Sequence, residues 1–509
     1  MGKNDPLTIR LNPLDNVVVA RVELPAGTEV PEEGVTCRRQ IPAGHKLCTA
    51  AIGSGVPVRK YGQIIGFATS EIFPGEHVHT HNLGMGDFAR DYAIGVEARP
   101  TDYVHEGTQA TFQGIVRPDG RVATRNYIGI LCTANCSASV ARHIADSFGN
   151  KERAEFPNVD GVVPVCHGSG CAMAASGEGF KGLQRTLVGY ARHPNFAGAL
   201  IIGLGCEVNQ IDSLLQSGNL KRGPLLQTLT IQDIGGTSAT IREGVSRIRE
   251  MLPEANRMER DPVPVSHLIL GLECGGSDAY SGITANPALG AAVDLLVRHG
   301  GTAVLSETPE IYGAEHLLTR RAVNRKIGDK LIALIQWWED YVARNGVNMD
   351  NNPSPGNKAG GLTTILEKSL GAAAKGGTTN LVDVYQFAEP ITAKGFVFMD
   401  TPGYDPTSVT GMVAGGANVI CFTTGCGSVF GCRPVPSIKL ATNTALYQHM
   451  EEDMDINCGT IADGEITVEK MGERIFRFML ETASGRETKS ELYGIGDNEF
   501  VPWQIGAVM

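Results

Sequence analysis

The run Cys166-His167-Gly168-Ser169-Gly170-Cys171 follows the apolar stretch GVVPV and carries two thiols and an imidazole within six residues. Such a set can hold a metal, close a disulfide or fill the end of a strand. Three more thiols stand in similar surroundings: Cys136 in CTANCSAS, Cys206 in GLGCEVN and Cys274 in LECGGSDA. Thiolate and imidazole suit iron or zinc, whereas carboxylate and carbonyl oxygens suit manganese or calcium. The spacing is neither the paired pattern of a zinc ribbon nor a common iron–sulfur motif, so it points to a metal without choosing one.

A second group is rich in imidazole. GEHVHTHNL places His77, His79 and His81 at alternate positions, which a strand would turn to one face. They are either a solvated edge or a face that supplies an acid, a base or a metal ligand. His45 and Lys46, in IPAGHKLC, fall in a turn between strands and are candidates for proton transfer or anion binding. A third group is basic and framed by glycine: Arg125-Asn126 in RVATRNYIG, Lys358 in NPSPGNKAGG and Arg433 in FGCRPVPS. An arginine fork with a lysine matches a carboxylate-bearing ligand. GNKAGG lacks the spacing of a phosphate loop, and GLGCEVNQ is one glycine short of a dinucleotide fingerprint.

These residues need a scaffold. At 509 residues the chain is long enough for about three domains. Glycine is enriched, 63 residues in short clusters such as GLECGGSDAYSG, which suits close approach of backbone to a ligand. A net charge of −11 argues against nucleic acid or an anionic membrane as a partner. No signal-peptide pattern and no run of ~18 apolar residues occurs, so a cytoplasmic protein is expected. There, twelve cysteines point to metal or catalysis and not to a disulfide framework.

Residues 1–85 hold short β-branched runs broken by Pro-Gly and Ala-Gly turns and predict a small all-β domain. Residues 86–112 are polar and read as a linker. From YIGILCT onward, strands alternate with helices, which predicts an α/β body with largely parallel sheets and ligands at the carboxyl ends of strands. The cysteine-bearing loops fall at such ends. The proline-rich NNPSPGNKAGG predicts a border, giving α/β domains over 113–350 and 351–509.

DNVVVARVELPAGTEV, IPAGHKL, KYGQIIGFA, GEHVHTHN, GLGCE, ECGGSDAYSGITANPALG and NPSPGNKAGG together resemble the altronate/galactarate dehydratase family, from about residue 12 to the end. The amino-terminal segment resembles that family's small β-clip domain. The resemblance implies dehydration of a six-carbon sugar acid to a 2-keto-3-deoxy acid, with Fe2+ as cofactor and Mn2+ sometimes serving. It implies catalytic His45, Lys46 and His79, and substrate binding by Arg125, Asn126, Ser277, Asp278, Asn357 and Lys358. It carries metal roles onto Cys136, His167, Cys171, Cys206 and Cys274, and leaves Cys166 outside the pattern. Where the family reads TGRGTP, this chain has TGCGSV at 424–429, one basic residue fewer, with Arg433 as a substitute.

Such a dehydration takes a weakly acidic proton beside a carboxylate and expels hydroxide, so it needs a cation, a base and an acid. Lys46 or His45 is the expected base, His79 the acid, and Arg125 with Lys358 the carboxylate clamp. Two metal arrangements stay open: an iron–sulfur cluster on three of Cys136, Cys171, Cys206 and Cys274, or a single iron on His167 with oxygen ligands. Alternatives to dehydration are sulfite elimination from a sulfonated hydroxy acid and non-catalytic binding of a sugar acid. A homodimer is the default assembly.

Overall fold

The β-branched run Val17–Ala20 is buried at all four positions and pairs antiparallel with Thr8–Ile9 and with Lys46–Cys48, which pairs with His77–Val78. A second small sheet joins Pro57–Lys60, Gln63–Ala68 and Leu83–Gly84. The computed structural model describes residues 6–86 and 88–506, and its amino-terminal part is all-β, as the turn-punctuated sequence predicts. No strand or helix occurs over 88–110, but this stretch is tied down: Arg320 pairs with both Asp91 and Glu97.

The middle domain centres on four parallel strands in the order Gly161–Val165, Tyr127–Cys132, Phe196–Gly203, Leu226–Thr230. The apolar runs of the two central strands are buried on both faces, as parallel strands covered by helices require. A short antiparallel sheet joins Val122–Ala123, Thr111–Val116 and Arg260–Pro264.

Seven parallel strands form the last sheet, in the order Leu381–Tyr385, Gly395–Met399, Thr302–Leu305, Ile269–Cys274, Val419–Thr424, Ser437–Ala441, Ile456–Asn457. Ile269–Cys274 and Thr302–Leu305 therefore belong to the same sheet as strands beyond residue 380. This corrects the expected border at 351: the division lies before Ile269, and NNPSPGNKAGG arches over the sheet instead of linking two domains. Its centre is the short helix Pro355–Ala359, capped by Ser354. The first strand of this sheet in chain order sits in its middle, with later strands added on both sides. That arrangement opens a crevice at the carboxyl ends, where ligands of open α/β sheets bind. Among the described residues no helix is long and apolar enough to cross a membrane.

Candidate functional site

The β domain docks over this crevice through a buried ion triad. Lys46 Nζ donates to Glu367 Oε2 at 2.8 Å, Glu367 Oε1 at 3.1 Å and Gly361 O at 2.7 Å. Lys60 Nζ donates to Glu367 Oε1 at 3.0 Å, and Thr363 adds backbone and hydroxyl bonds to Oε2. All three charged side chains are essentially inaccessible. Burial alone would raise the Glu367 carboxyl, but the fields of Lys46 and Lys60 outweigh it and hold the group far below the carboxylate range. Burial pulls Lys46 down to about 8, against the pull of Glu367. With its three protons already donated and no exposure, Lys46 holds the domains together and is not placed as a free base.

Next to it, three imidazoles converge. His45 Nδ1 and His77 Nε2 are 2.9 Å apart, and His45 Nε2 is 3.2 Å from Ala359 O in the arching loop. The His77 and His79 rings stack at 5.4 Å, and His81 extends the group from an exposed turn. One nitrogen from each of His45, His77 and His79 lies within 4.8 Å of the others. His79 Nδ1 is buried without a partner. Burial is the main cause that lowers all three, His77 to about 3 and His79 to about 4, so each ring is neutral at pH 7. Neutral imidazoles at this spacing, one with a bare nitrogen, fit a borderline divalent ion such as Fe2+.

Under the histidines lies the loop that leaves Ile269–Cys274. Gly276 O accepts from Gly425 N and Cys426 N, which zips this loop to the one leaving Val419–Thr424. Asp278 Oδ1 accepts from Ser281 N, Ser281 Oγ and Thr442 Oγ1, and Oδ2 accepts from Asn443 Nδ2. Burial still raises its carboxyl above the ordinary 3.8, against these hydrogen bonds. Asn357 Nδ2 donates to Ser277 O at 2.8 Å, and Gly360 O accepts from Ala279 N, so the arching loop is stitched to the same turn. Ser277, Asp278 and Asn357 are thus brought together, with His45 reaching the same arching loop at Ala359 and Lys358 belonging to that loop. Lys358 is half-buried, and its ammonium has no ion-pair partner among the described residues.

Gly425 permits the closest of these approaches: a Cβ there would lie 2.1 Å from Asp278 Cγ. Gly425→Ala must push the carboxylate aside. A displacement of about 1 Å at a reacting group lowers kcat about 10²-fold, and steady-state kinetics beside a melting curve will separate that loss from unfolding.

Other expected site residues lie elsewhere. Arg125 is spent: its guanidinium meets Glu491 at 2.6 and 2.8 Å and donates to the carbonyls of Thr124, Thr482 and Arg486. Asn126 ties Arg117, Asn158 O and Ala255 O together. This pair joins domains and offers no free clamp, because every donor of the guanidinium is taken. Arg433 pairs with Asp497 and does not replace the missing base of the 424–429 loop; uncharged Cys426 stands there, close enough to Asp278 for its charge to raise the thiol further, after burial.

His167 is buried with both nitrogens occupied, by Cys132 O at 3.0 Å and Ser169 Oγ at 3.1 Å. It orients a strand end, and no second imidazole or carboxylate joins it in a metal-sized cluster among the described residues. Cys136, Cys171 and Cys206 do gather at the carboxyl ends of the middle sheet, where Cys136 first and Cys206 after it raise the Cys171 thiol. Cys274 is separate from them, buried 2.7 Å from Lys375 Nζ. Around it sit groups that sequence reading missed: Glu273, Glu307, Glu310 and Asp405. Burial, with repulsion from neighbouring carboxylates, raises Glu273, Glu307 and Asp405, the last to about 7. The available signal was position, since all four follow or end strands of one parallel sheet.

Family comparisons divide the chain as the sheets do. Residues 6–86 match the altronate/galactarate dehydratase SAF domain, 114–256 the second domain of D-galactarate dehydratase/altronate hydrolase, and 265–508 the C-terminal domain of D-galactarate/altronate dehydratase. Altronate dehydratase of Bacillus subtilis is 34% identical over 490 residues, covering 95% of this chain and 96% of the relative. The chain belongs to the altronate/galactarate dehydratase family. Galactarate dehydratase (L-threo-forming) of Escherichia coli is 35% identical, covering 96% of this chain and 95% of its own. The β subunit of (2R)-sulfolactate sulfo-lyase from Chromohalobacter salexigens is 32% identical, over 77% of this chain and 96% of its own. Membership places the chain among hydro-lyases that act on sugar acids.

Proposed function

We propose that this chain removes water from a six-carbon sugar acid of the altronate or galactarate type, giving a 2-keto-3-deoxy acid. The observation that carries the reading is the convergence of His45, His77 and His79 on the arching loop of Asn357 and Lys358, which is stitched to the loop holding Asp278. His45, His77 and His79 would hold Fe2+, or Mn2+ in its place, and the bound cation would supply positive charge against the developing enediolate.

The chain's own groups then divide the work. The Lys358 ammonium meets the substrate carboxylate, the charge that the clamp needs once Arg125 is committed elsewhere. Asp278 takes the proton from C2, the C2–C3 double bond forms, and the C3 hydroxyl leaves with that proton as water. The resulting enol tautomerises to the 2-keto acid. The raised Asp278 carboxyl suits both halves of this transfer. Asn357 and the two zipped glycine loops keep the turn rigid, and the docked β domain excludes water.

Lys358→Ala is expected to raise KM roughly 10- to 100-fold, the worth of a charge-assisted hydrogen bond, with a smaller change in kcat. Arg125→Ala is expected instead to lower the melting temperature and leave KM unchanged. A second reading of the metal rests on the gathering of Cys136, Cys171 and Cys206, three thiols that suit an iron–sulfur cluster.

The test is anaerobic purification with iron and acid-labile sulfide analysis, then assay of 2-keto acid release from altronate and galactarate, and of sulfite from sulfolactate. Iron without sulfide, lost in His77→Asn together with turnover, supports the histidine site. Acid-labile sulfide lost in Cys171→Ser moves the metal to the thiols. Sulfite release without 2-keto acid release from either sugar acid would overturn the dehydratase reading.

A further inference from the structure

The buried acids beside Cys274 do not balance their charge. Glu273, Glu307, Glu310 and Asp405 supply four carboxylates, while Lys368 and Lys375 supply two ammonium groups. Lys368 Nζ is spent on Glu310 Oε1 at 2.6 Å and on Asn352 Oδ1. Lys375 Nζ is spent on Cys274 Sγ and Glu307 Oε2. With all four acids ionised, two negative charges would remain, centred on Glu273, Glu307 and Asp405.

Those three residues also offer open oxygens. Ser408 Oγ donates to Glu273 Oε2 at 2.7 Å, but Glu273 Oε1 is buried with no partner. Glu307 Oε1 is likewise buried and unpartnered, although both residues are at most 1% exposed. One oxygen from each of Glu273, Glu307 and Asp405 lies within 4.8 Å of the others. Leaving buried carboxylate oxygens bare costs several kcal/mol, so a proton or a cation is needed between them; Glu273 and Glu307 also lie within hydrogen-bonding reach of each other. The backbone is shaped for this approach. A Cβ at Gly275 would lie 2.2 Å from Asp405 Oδ2, and Glu307 itself is held at a φ of 65°. Asp405 is half-buried, the most accessible of the three.

We propose that Glu273, Glu307 and Asp405 bind a hard divalent cation, of the Mg2+ or Mn2+ class, at the carboxyl ends of the central strands. An all-oxygen donor set selects such ions, in contrast to the three imidazoles above. The ion would neutralise the excess charge and fix the root of the loop that carries Ser277 and Asp278. The inference is independent of what the histidines hold.

The experiment uses the full chain stripped with chelator and carrying His77→Asn, so that the imidazole set is broken. Mn2+ alone is titrated in, followed by electron paramagnetic resonance and by melting temperature. Expected are tight uptake of one Mn2+ per chain, no coupling to nitrogen, and a rise in melting temperature. Adding Asp405→Asn or, separately, Glu273→Gln should weaken uptake at least about tenfold. No uptake by the His77→Asn chain would overturn the proposal. So would uptake that shows nitrogen coupling, or that is unchanged in both carboxylate variants; a proton shared by Glu273 and Glu307 would then account for the pair. Failure of the sugar-acid assay leaves these outcomes untouched.

Discussion

Glu367→Gln is expected to be the most damaging single substitution for the fold. The carboxylate is the counter-ion of two inaccessible ammonium groups, Lys46 from the strand Lys46–Cys48 and Lys60 from the strand Pro57–Lys60. Both come from the β domain, whereas Glu367 lies in the helix Ile365–Ala373 under the arching loop. Removing one member of a buried charge group leaves the others uncompensated and costs about 3–5 kcal/mol. The glutamine keeps the shape and the Thr363 bonds, so the loss is one of charge. A melting curve should show the β domain released first, and catalysis should fall with it because His45, His77 and His79 leave their positions over the loop. If the variant melts with the parent and turns over, the triad does not hold the docking.

The same triad sets an acid limit. Because the folded Glu367 carboxyl is depressed, its contribution is complete above its ordinary value of 4.5. It is withdrawn as pH falls below that value toward the folded one. Docking should therefore weaken in acid in the parent and show less acid dependence in Glu367→Gln, which chemical denaturation at stepped pH will measure.

How much of this could be read from residues alone differs from part to part. The β domain was legible because its β-branched runs and glycine turns are local signals. The domain border was not, because pairing of Ile269–Cys274 with Val419–Thr424 is a long-range choice that local composition does not encode. Arg125 illustrates the same limit within the site. A basic residue near glycines looks alike whether it awaits a carboxylate ligand or pairs with Glu491, which is 366 positions away. Glu367 was overlooked for a related reason, since a glutamate in TTILEKSLGAAA reads as an ordinary helix charge. Its neighbours are almost all apolar or small, and that was the signal of burial. His45, His79, Ser277, Asp278, Asn357 and Lys358 were singled out through family resemblance, and the fold gathers the segments that carry them: two loops at the crevice and one antiparallel strand pair above it.

Asp278→Asn is expected to be the most damaging substitution for chemistry. The neutral amide keeps the volume that Gly425 leaves open and an oxygen for Ser281 and Thr442. It cannot take a proton from C2. Loss of a positioned base costs about 10²–10⁴-fold in kcat, which corresponds to roughly 3–5 kcal/mol in the barrier. KM should change little, because the proposed partner of the carboxylate is Lys358 and not Asp278. Deuterium exchange supplies the discriminating readout. In deuterated water the parent should wash the C2 hydrogen out of substrate or deliver solvent deuterium to product, and the variant should lose washout in step with kcat. Retained kcat with a lowered melting temperature would mean that Asp278 only braces the turn, through Ser281, Thr442 and Asn443. The proton would then have to go to an imidazole, and His45 or His79 could not be a metal ligand at that moment. The two variants therefore test one arrangement from opposite sides: Glu367 decides whether the histidines are in place, and Asp278 decides what they leave for the loop to do.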